Sequence, residues 1–241
     1  MNSTKIEYIV IILVILAGVI YTYNLTKDDS IEYQPPIVPP PTIQQTIDTI
    51  DCPTLSTQNP SWKQLTLMVD PGNAYTEGDR GNTLNDEWFE TMITKEIANF
   101  LTLRLDNAIS TVNEPPASIK SRVSKIIQEQ GDALISIHVG NENNVITATI
   151  PFESLESRKL ACLIINTLLK EYPDIEGANI VAINPQYYSQ EDPEFLLRSK
   201  GPALMLELGT IQLAPDQNFL TDQFQIAKSI ALGIEEYYEE S

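Results

Sequence analysis

The chain has 241 residues, with 15 Lys and Arg against 33 Asp and Glu, so its formal net charge is −18. A chain this acidic is a poor candidate for binding nucleic acid, because its own field repels the phosphate backbone. Two cysteines are too few for a disulfide-rich scaffold or a cysteine-built zinc cluster. The single histidine excludes any site that needs two imidazoles.

The first predicted element is an apolar helix near the N-terminus. Residues 8–23 carry no charge, and together with Ile6 they approach the length of about 17–20 residues that crosses a hydrocarbon core. No small-residue cleavage pattern follows the run, and no cysteine that could carry a lipid stands directly behind it. We therefore expect an uncleaved anchor within residues 1–27, with residues 6–23 in the membrane. A cleaved signal peptide and a buried core helix are the alternatives.

The charges that flank this run indicate its orientation. Lys5 precedes it, whereas Lys27 behind it is followed by Asp28 and Asp29. Because positive charge favours the cytoplasmic side, we expect a single-pass protein with a cytoplasmic N-terminus and the rest of the chain on the extracytoplasmic side.

Residues 28–60 are rich in proline and poor in apolar periodicity. Proline runs favour the extended polyproline II conformation and act as semi-rigid spacers, so we interpret this segment as a tether. A proline motif that binds a partner is the alternative. Cys52 falls in this segment, and we interpret it as incidental rather than as a disulfide partner of Cys162.

Residues 61–241 alternate apolar strand patterns with helix patterns. Strands are predicted at 65–70, 133–139, 145–150, 179–183 and 203–209. Helices are predicted at 87–108, 117–130, 156–171 and 216–239. Strands that alternate with helices of this length indicate an α/β domain with a mostly parallel sheet and helices on both faces.

Polar side chains stand at the ends of three of these strands. Asp70 begins Asp-Pro-Gly-Asn, Ser136 precedes His138 by two residues, and Glu207 interrupts an apolar strand. Functional groups of parallel sheets gather at the carboxyl ends of strands. The chain has no glycine-rich nucleotide loop and no serine-hydrolase elbow, so nucleotide binding and serine hydrolysis have no support.

The ordered set of motifs resembles the zinc-dependent N-acetylmuramoyl-L-alanine amidases, which cleave peptidoglycan between the lactyl group and the first alanine. The likeness covers about residues 65–240. It is carried by VDPGN, the ETMITKEIA helix, SIKSRVSKIIQEQGDALISIHVG, ESRKLA, PALMLELG and IAKSIALGIEEYY.

The resemblance implies a zinc site. In that family two histidines and a glutamate hold the zinc, and a glutamate near the C-terminus is the general base. Glu90 and His138 match two ligands, and Glu207 matches the base.

Asn73 stands where the family has its first histidine ligand, which counts against zinc binding because an amide oxygen suits calcium or magnesium better. Gly140 replaces a family asparagine, which leaves the adjacent Asn141 as the candidate substrate-binding residue.

Each candidate also has an ordinary structural interpretation. His138 is then a core or turn histidine, Glu207 a paired structural carboxylate, and Glu90 a charge that suits a helix N-terminus. Asn73 is then a turn residue. Arg122 is either a charge on the helix surface or, as the family pattern implies, an anchor for its helix.

The sequence leaves three functions open. We expect a membrane-anchored amidase-like protein of the cell envelope with weak or no hydrolase activity, which binds peptidoglycan or an envelope protein. The alternative is an active zinc-dependent amidase that tolerates Asn73. A related hydrolase of another amide is the third, although nothing in the sequence indicates a different substrate pocket.

Overall fold

The structure is a computed structural model, and it describes residues 44–45, 51–54, 65–72, 80–85, 89–111, 118–129, 131–140, 145–189, 192–199 and 201–239. These residues all fall within the unit that spans residues 39–241.

Within the part of the chain that the structure describes, seven strands form one sheet. They are β1 (Gln44–Gln45), β2 (Leu67–Pro71), β3 (Ala108–Ser110), β4 (Ala133–Gly140), β5 (Val145–Pro151), β6 (Gly177–Ile183) and β7 (Ala203–Thr210). Their order across the sheet is β1-β6-β5-β7-β4-β2-β3. Strands β2 and β4 are buried at every position, as expected for central strands covered on both faces.

The described residues form five α-helices and two 3-10 helices. The α-helices are α1 (Glu90–Arg104), α2 (Ile119–Gln128), α3 (Leu155–Glu171), α4 (Ala214–Leu220) and α5 (Gln223–Glu239). The 3-10 helices are Pro185–Tyr187 and Pro193–Arg198. Helix α3 begins where the Ser154 side chain accepts a hydrogen bond from the Ser157 N–H at 3.2 Å, which satisfies one of the unpaired donors of its first turn.

The helices cover both faces of the sheet. Helices α1, α3 and α5 pack on one face, where Ile97 and Ile164 join the core formed with Leu206 of β7. On the other face, Ile126 of α2 and Leu197 pack against a smaller core, which includes strand residues Met68, Leu134 and Met205. The predicted α/β class with helices on both faces is confirmed.

The sheet is mostly parallel, as predicted, but the described strands also include antiparallel pairs. Among the described strands, β5 and β6 are parallel to each other, but β5 runs antiparallel to β7. The reason lies in the connection from β4 to β5, where only residues 141–144 separate the two strands. A parallel crossover needs a dozen or more residues, so β5 has to run back along the sheet.

Two helices begin or end at residues that differ from the predicted ones. The first helix ends at Arg104, and Ala108–Ser110 instead form β3, because they pair in parallel with Leu67–Val69 of β2. The closing helix is split into α4 and α5. Asp222 lies at the break. Its side chain accepts a hydrogen bond from the Gln225 N–H at 3.4 Å and so caps the N-terminus of α5.

The interpretation of Cys52 as incidental is wrong. Cys52 forms a disulfide with Cys162 of α3, and it packs against the larger core. Gln44–Gln45 also pair with β6. At these two points the segment interpreted as a tether is attached to the domain.

The predicted membrane anchor at residues 6–23 lies outside the described residues and stays a prediction. Within the part of the chain that the structure describes, no helix has both the length and the apolarity to span a bilayer.

Candidate functional site

The candidate site lies at the carboxyl ends of β2, β4 and β7. Asp70 of β2 is the register partner of Ser136 on β4, and His138 of β4 is the register partner of Glu207 on β7. Because side chains alternate along a strand and partners in register share a face, these four side chains lie on one face of the sheet. The topology therefore brings together the polar residues that the sequence places at separate strand ends.

Glu90 reaches this site from the first position of α1. Its side chain is 1% exposed. Oε1 lies 3.3 Å from His138 Nδ1 and accepts the Val139 N–H at 3.1 Å. Burial alone raises the pKa of Glu90, but the His138 interaction and the backbone donors of Asn82 and Val139 outweigh it and hold the pKa below its ordinary value.

Asn82 is a site residue that the sequence did not indicate. Its backbone N–H and its side-chain Nδ2 both donate to Glu90 Oε2, at 3.0 and 3.1 Å. Nδ2 also donates to the Val139 carbonyl at 2.6 Å. Asn82 thus joins the start of α1 to the end of β4 and fixes the Glu90 carboxylate beside the imidazole.

His138 is 7% exposed, and both of its ring nitrogens have a partner. Nε2 lies 3.1 Å from Ser136 Oγ, and Nδ1 faces Glu90. Gly72 lies directly against the ring, since a Cβ added at that glycine would stand 2.4 Å from Nδ1. The glycine of the Asp-Pro-Gly turn is therefore required by close packing.

Asp70 is the centre of a buried polar network. It and Arg122 are both fully buried. Asp70 Oδ1 lies 2.5 Å from Arg122 Nη2 and accepts from Thr111 Oγ1 at 2.5 Å, while Oδ2 accepts from Ser136 Oγ at 2.7 Å. Arg122 Nη2 also donates to the Pro71 carbonyl at 2.6 Å. Arg122 is thus an internal anchor of α2 and not a charge on its surface.

Glu207 is half-buried on β7, between the fully buried Leu206 and Leu208. Its side chain lies beside the end of β4, since a Cβ added at Gly140 would be 3.6 Å from Glu207 Cδ. The structure therefore brings Glu207 next to the strand that carries His138.

The structure leaves two predicted site residues undescribed. Asn73 and Asn141 fall outside the described ranges. Within those ranges, no group of three His, Cys, Asp or Glu side chains is arranged to hold a metal ion. The part of the site that is described is a buried carboxylate–imidazole pair with a second carboxylate on the neighbouring strand.

Comparison with known proteins identifies the class to which this fold and site belong. The family model described as N-acetylmuramoyl-L-alanine amidase matches residues 67–236. The chain therefore belongs to the N-acetylmuramoyl-L-alanine amidase family, which confirms the resemblance. A comparison with curated protein sequences finds no significant match.

Solved amidase structures share the fold. An N-acetylmuramoyl-L-alanine amidase from Clostridium difficile 630 is 22% identical, with a TM-score of 0.58, over 73% of this chain and 97% of that one. The CwlD amidase from Clostridioides difficile, solved in complex with the GerS lipoprotein, is 20% identical, with a TM-score of 0.60, over 74% and 100%. AmiC2 of Nostoc punctiforme is 22% identical, with a TM-score of 0.57, over 73% and 97%.

Proposed function

We propose that this protein is a membrane-anchored, amidase-like module of the cell envelope that binds peptidoglycan or an envelope protein and hydrolyses weakly or not at all. One observation carries the proposal. Glu90 and His138 are paired, but His138 is the only histidine of the chain, and Asn73 stands where the family has its other histidine ligand.

The donor set does not fit the zinc centre that the family implies. Catalytic zinc takes three protein ligands from imidazole, thiolate or carboxylate groups and keeps one position open. Glu90 and His138 are two such donors, and the chain has no other histidine. Asn73, where the family has its first histidine ligand, offers a neutral amide oxygen, which is a poor zinc ligand.

An active amidase remains the competing function because the remaining candidate residues lie together. Glu207 lies on the strand next to His138, where a general base for the family's reaction is expected. If a residue outside the described ranges supplies the third donor, hydrolysis follows.

Binding to peptidoglycan or to a protein is supported by two facts. The chain belongs to a family of peptidoglycan amidases. The CwlD structure contains a lipoprotein partner, so a protein of this fold forms such a complex. The net charge of −18 gives no general attraction to anionic wall polymers, so we expect binding through local contacts or to a partner with a basic face.

The disulfide supports an extracytoplasmic domain. Disulfides such as Cys52–Cys162 persist in oxidising compartments and are rare in the cytosol. We therefore infer that residues 6–23 anchor the chain and that the amidase-like domain faces the envelope.

The test uses the full-length protein in mild detergent. We expect it to co-sediment with purified sacculi or with an envelope protein, to carry well under one zinc per chain, and to release little peptide from sacculi supplied with zinc. One zinc per chain together with steady release of peptides starting at L-alanine would overturn the proposal and establish the active amidase.

A further inference from the structure

An apolar groove lies on the surface between α1 and α5. Its volume is about 490 Å³, and it is lined by Phe100, Leu103, Arg104, Phe224, Ala227 and Lys228. Phe100 and Phe224 pack edge to face with their ring centroids 5.3 Å apart, yet Phe224 stays 61% exposed and Leu103 80% exposed. Phe100 is ten residues beyond Glu90, about 15 Å along α1, so the groove is a surface separate from the candidate site.

A row of residues on α5 continues this groove along the outside of the helix. Phe224, Lys228, Leu232 and Glu236 recur every four residues, a spacing that places them in one ridge on the helix surface. Leu232 is 41% exposed, and Glu236 is also exposed. These four residues form the α5 ridge. Because large apolar side chains lie exposed together along the ridge and the groove, this surface is suited to contact with another protein.

The charges of α5 are separated along its length. Lys228 is the only basic residue of the helix, whereas Glu235, Glu236 and Glu239 all lie in its last two turns. The helix macrodipole disfavours glutamate at this end. Lys228 Nζ lies 3.4 Å from Gln225 Oε1, which is a neutral group. A complementary partner therefore brings a basic group to the last turns of α5 and an acidic group to Lys228.

A second copy of α5 that runs antiparallel to the first meets both requirements. When two such ridges pack with Leu232 at a two-fold axis, residue 228 of each copy faces residue 236 of the other, because both lie four residues from the axis. Lys228 then pairs with Glu236 of the second copy, and the pair occurs twice. Parallel packing would instead place Lys228 against Lys228, and an anionic membrane would be repelled by the three glutamates.

We propose that this protein forms a homodimer through the α5 ridge, with the two helices antiparallel and Leu232 at the two-fold axis. The acidic last turn of each helix then lies toward the groove of the other copy, where Arg104 and Lys228 line the surface. The ridge from Phe224 to Glu236 is about 18 Å long, so we expect weak association, in the micromolar range. The proposal goes beyond the proposed function, because the dimer requires neither peptidoglycan binding nor hydrolysis.

The chain suits a cross-linking test, because its two cysteines are already joined to each other. Leu232→Cys is introduced into the full-length protein in mild detergent, and oxidation is followed on a non-reducing gel. A disulfide needs Cβ atoms about 3.5–4.5 Å apart, a distance that two residues at a two-fold axis can reach.

Leu155→Cys is the matched control, since Leu155 is 61% exposed at the start of α3. We expect Leu232→Cys to form a covalent dimer at least about tenfold faster than Leu155→Cys, because association holds the two thiols at a high effective concentration. Equal rates for the two variants would overturn the proposal.

A charge exchange tests the antiparallel pairing. Light scattering over a series of protein concentrations gives the dissociation constant of the full-length dimer. Lys228→Glu and Glu236→Lys should each raise it at least about tenfold, because each change places like charges together. The double variant restores opposite charges at both contacts and should recover most of the lost affinity.

Glu129→Lys is the control for the change in net charge, since Glu129 is exposed at the end of α2 on the other face of the sheet. It should leave the dissociation constant near that of the wild type, and circular dichroism verifies that each variant is folded. A monomeric wild type, or a dimer that neither single change weakens, would overturn the proposal. Single changes that weaken the dimer without recovery in the double variant would contradict the antiparallel arrangement.

Discussion

At the residue scale, the Glu90 carboxylate is both a candidate ligand and a structural acceptor. It accepts from two backbone N–H groups and from one side-chain amide, all at the junction of α1 with β4. Burying a carboxylate at a helix start is tolerable here because these donors compensate the lost hydration. The same carboxylate thus serves the fold whether or not it holds a metal.

Removing this carboxylate should destabilise the protein. We expect Glu90→Ala to lower the free energy of unfolding by about 2–4 kcal/mol, because it leaves buried donors of Asn82 and Val139 without their acceptor. Denaturant unfolding measures the change. Glu96→Ala, at an exposed position of the same helix, should stay within about 0.5 kcal/mol of the wild type. Equal effects of the two changes would contradict the role assigned to Glu90.

Part of the site could be predicted from the sequence. The residues that could not be predicted are those whose contacts depend on the folded chain. Glu90, His138 and Glu207 could be named because they occur in an ordered set of motifs, and the structure brings the first two into contact. Asn82 could not be named, because its contacts join segments far apart in the chain. The role of Ser136 was open to prediction, since it precedes His138 by two residues on a strand and so shares its face.

At the scale of single elements, α2 is held to the sheet by one buried ion pair. Arg122 is fully buried and contacts Asp70 and the Pro71 carbonyl, which ends β2. Breaking a buried pair leaves the other charge uncompensated, whereas an exposed pair contributes little. The chain offers an exposed counterpart in Arg104 and Glu235, 3.5 Å apart.

We therefore expect Arg122→Met to lower the free energy of unfolding by about 3–5 kcal/mol. Arg104→Met should lower it by less than about 1 kcal/mol, because the Arg104 side chain is 38% exposed and its pair is screened by solvent. Thermal or denaturant unfolding of both variants makes the comparison. A loss at Arg122 no larger than the loss at Arg104 would show that the Asp70 network does not anchor α2.

The elements themselves were largely predictable, because buried strands and amphipathic helices have distinct periodicities. The structure differs from the prediction where strand pairing, or the length of a connection between two strands, outweighed the periodicity of apolar residues. Ala108 continued the helical spacing, yet residues 108–110 pair with β2. The short link at residues 141–144 was the available signal for an antiparallel strand, and it fixes the direction of β5.

At the scale of the whole molecule, the disulfide joins an upstream segment to the domain across 110 residues of sequence. Cross-linking over a long loop stabilises a protein mainly by restricting the unfolded chain. We expect Cys52→Ser to lower the free energy of unfolding by about 2–5 kcal/mol.

A reductant provides the control for this prediction. It should lower the stability of the wild type to that of the variant and leave Cys52→Ser unchanged, as followed by thermal unfolding. A wild type that keeps its full stability in reductant, with both thiols shown to be free, would contradict a structural role for the bond.

For the whole molecule, hydrolysis depends on position 73, where the sequence has asparagine and the family has a histidine ligand. The most direct measurement compares peptide release from sacculi by the full-length wild type and by Asn73→His, each supplied with zinc. We predict a low rate for the wild type and a gain of at least about 100-fold for the variant, because losing a direct ligand costs at least as much as losing a supporting residue. A wild type that already hydrolyses as fast as Asn73→His, with one zinc per chain, would contradict the account.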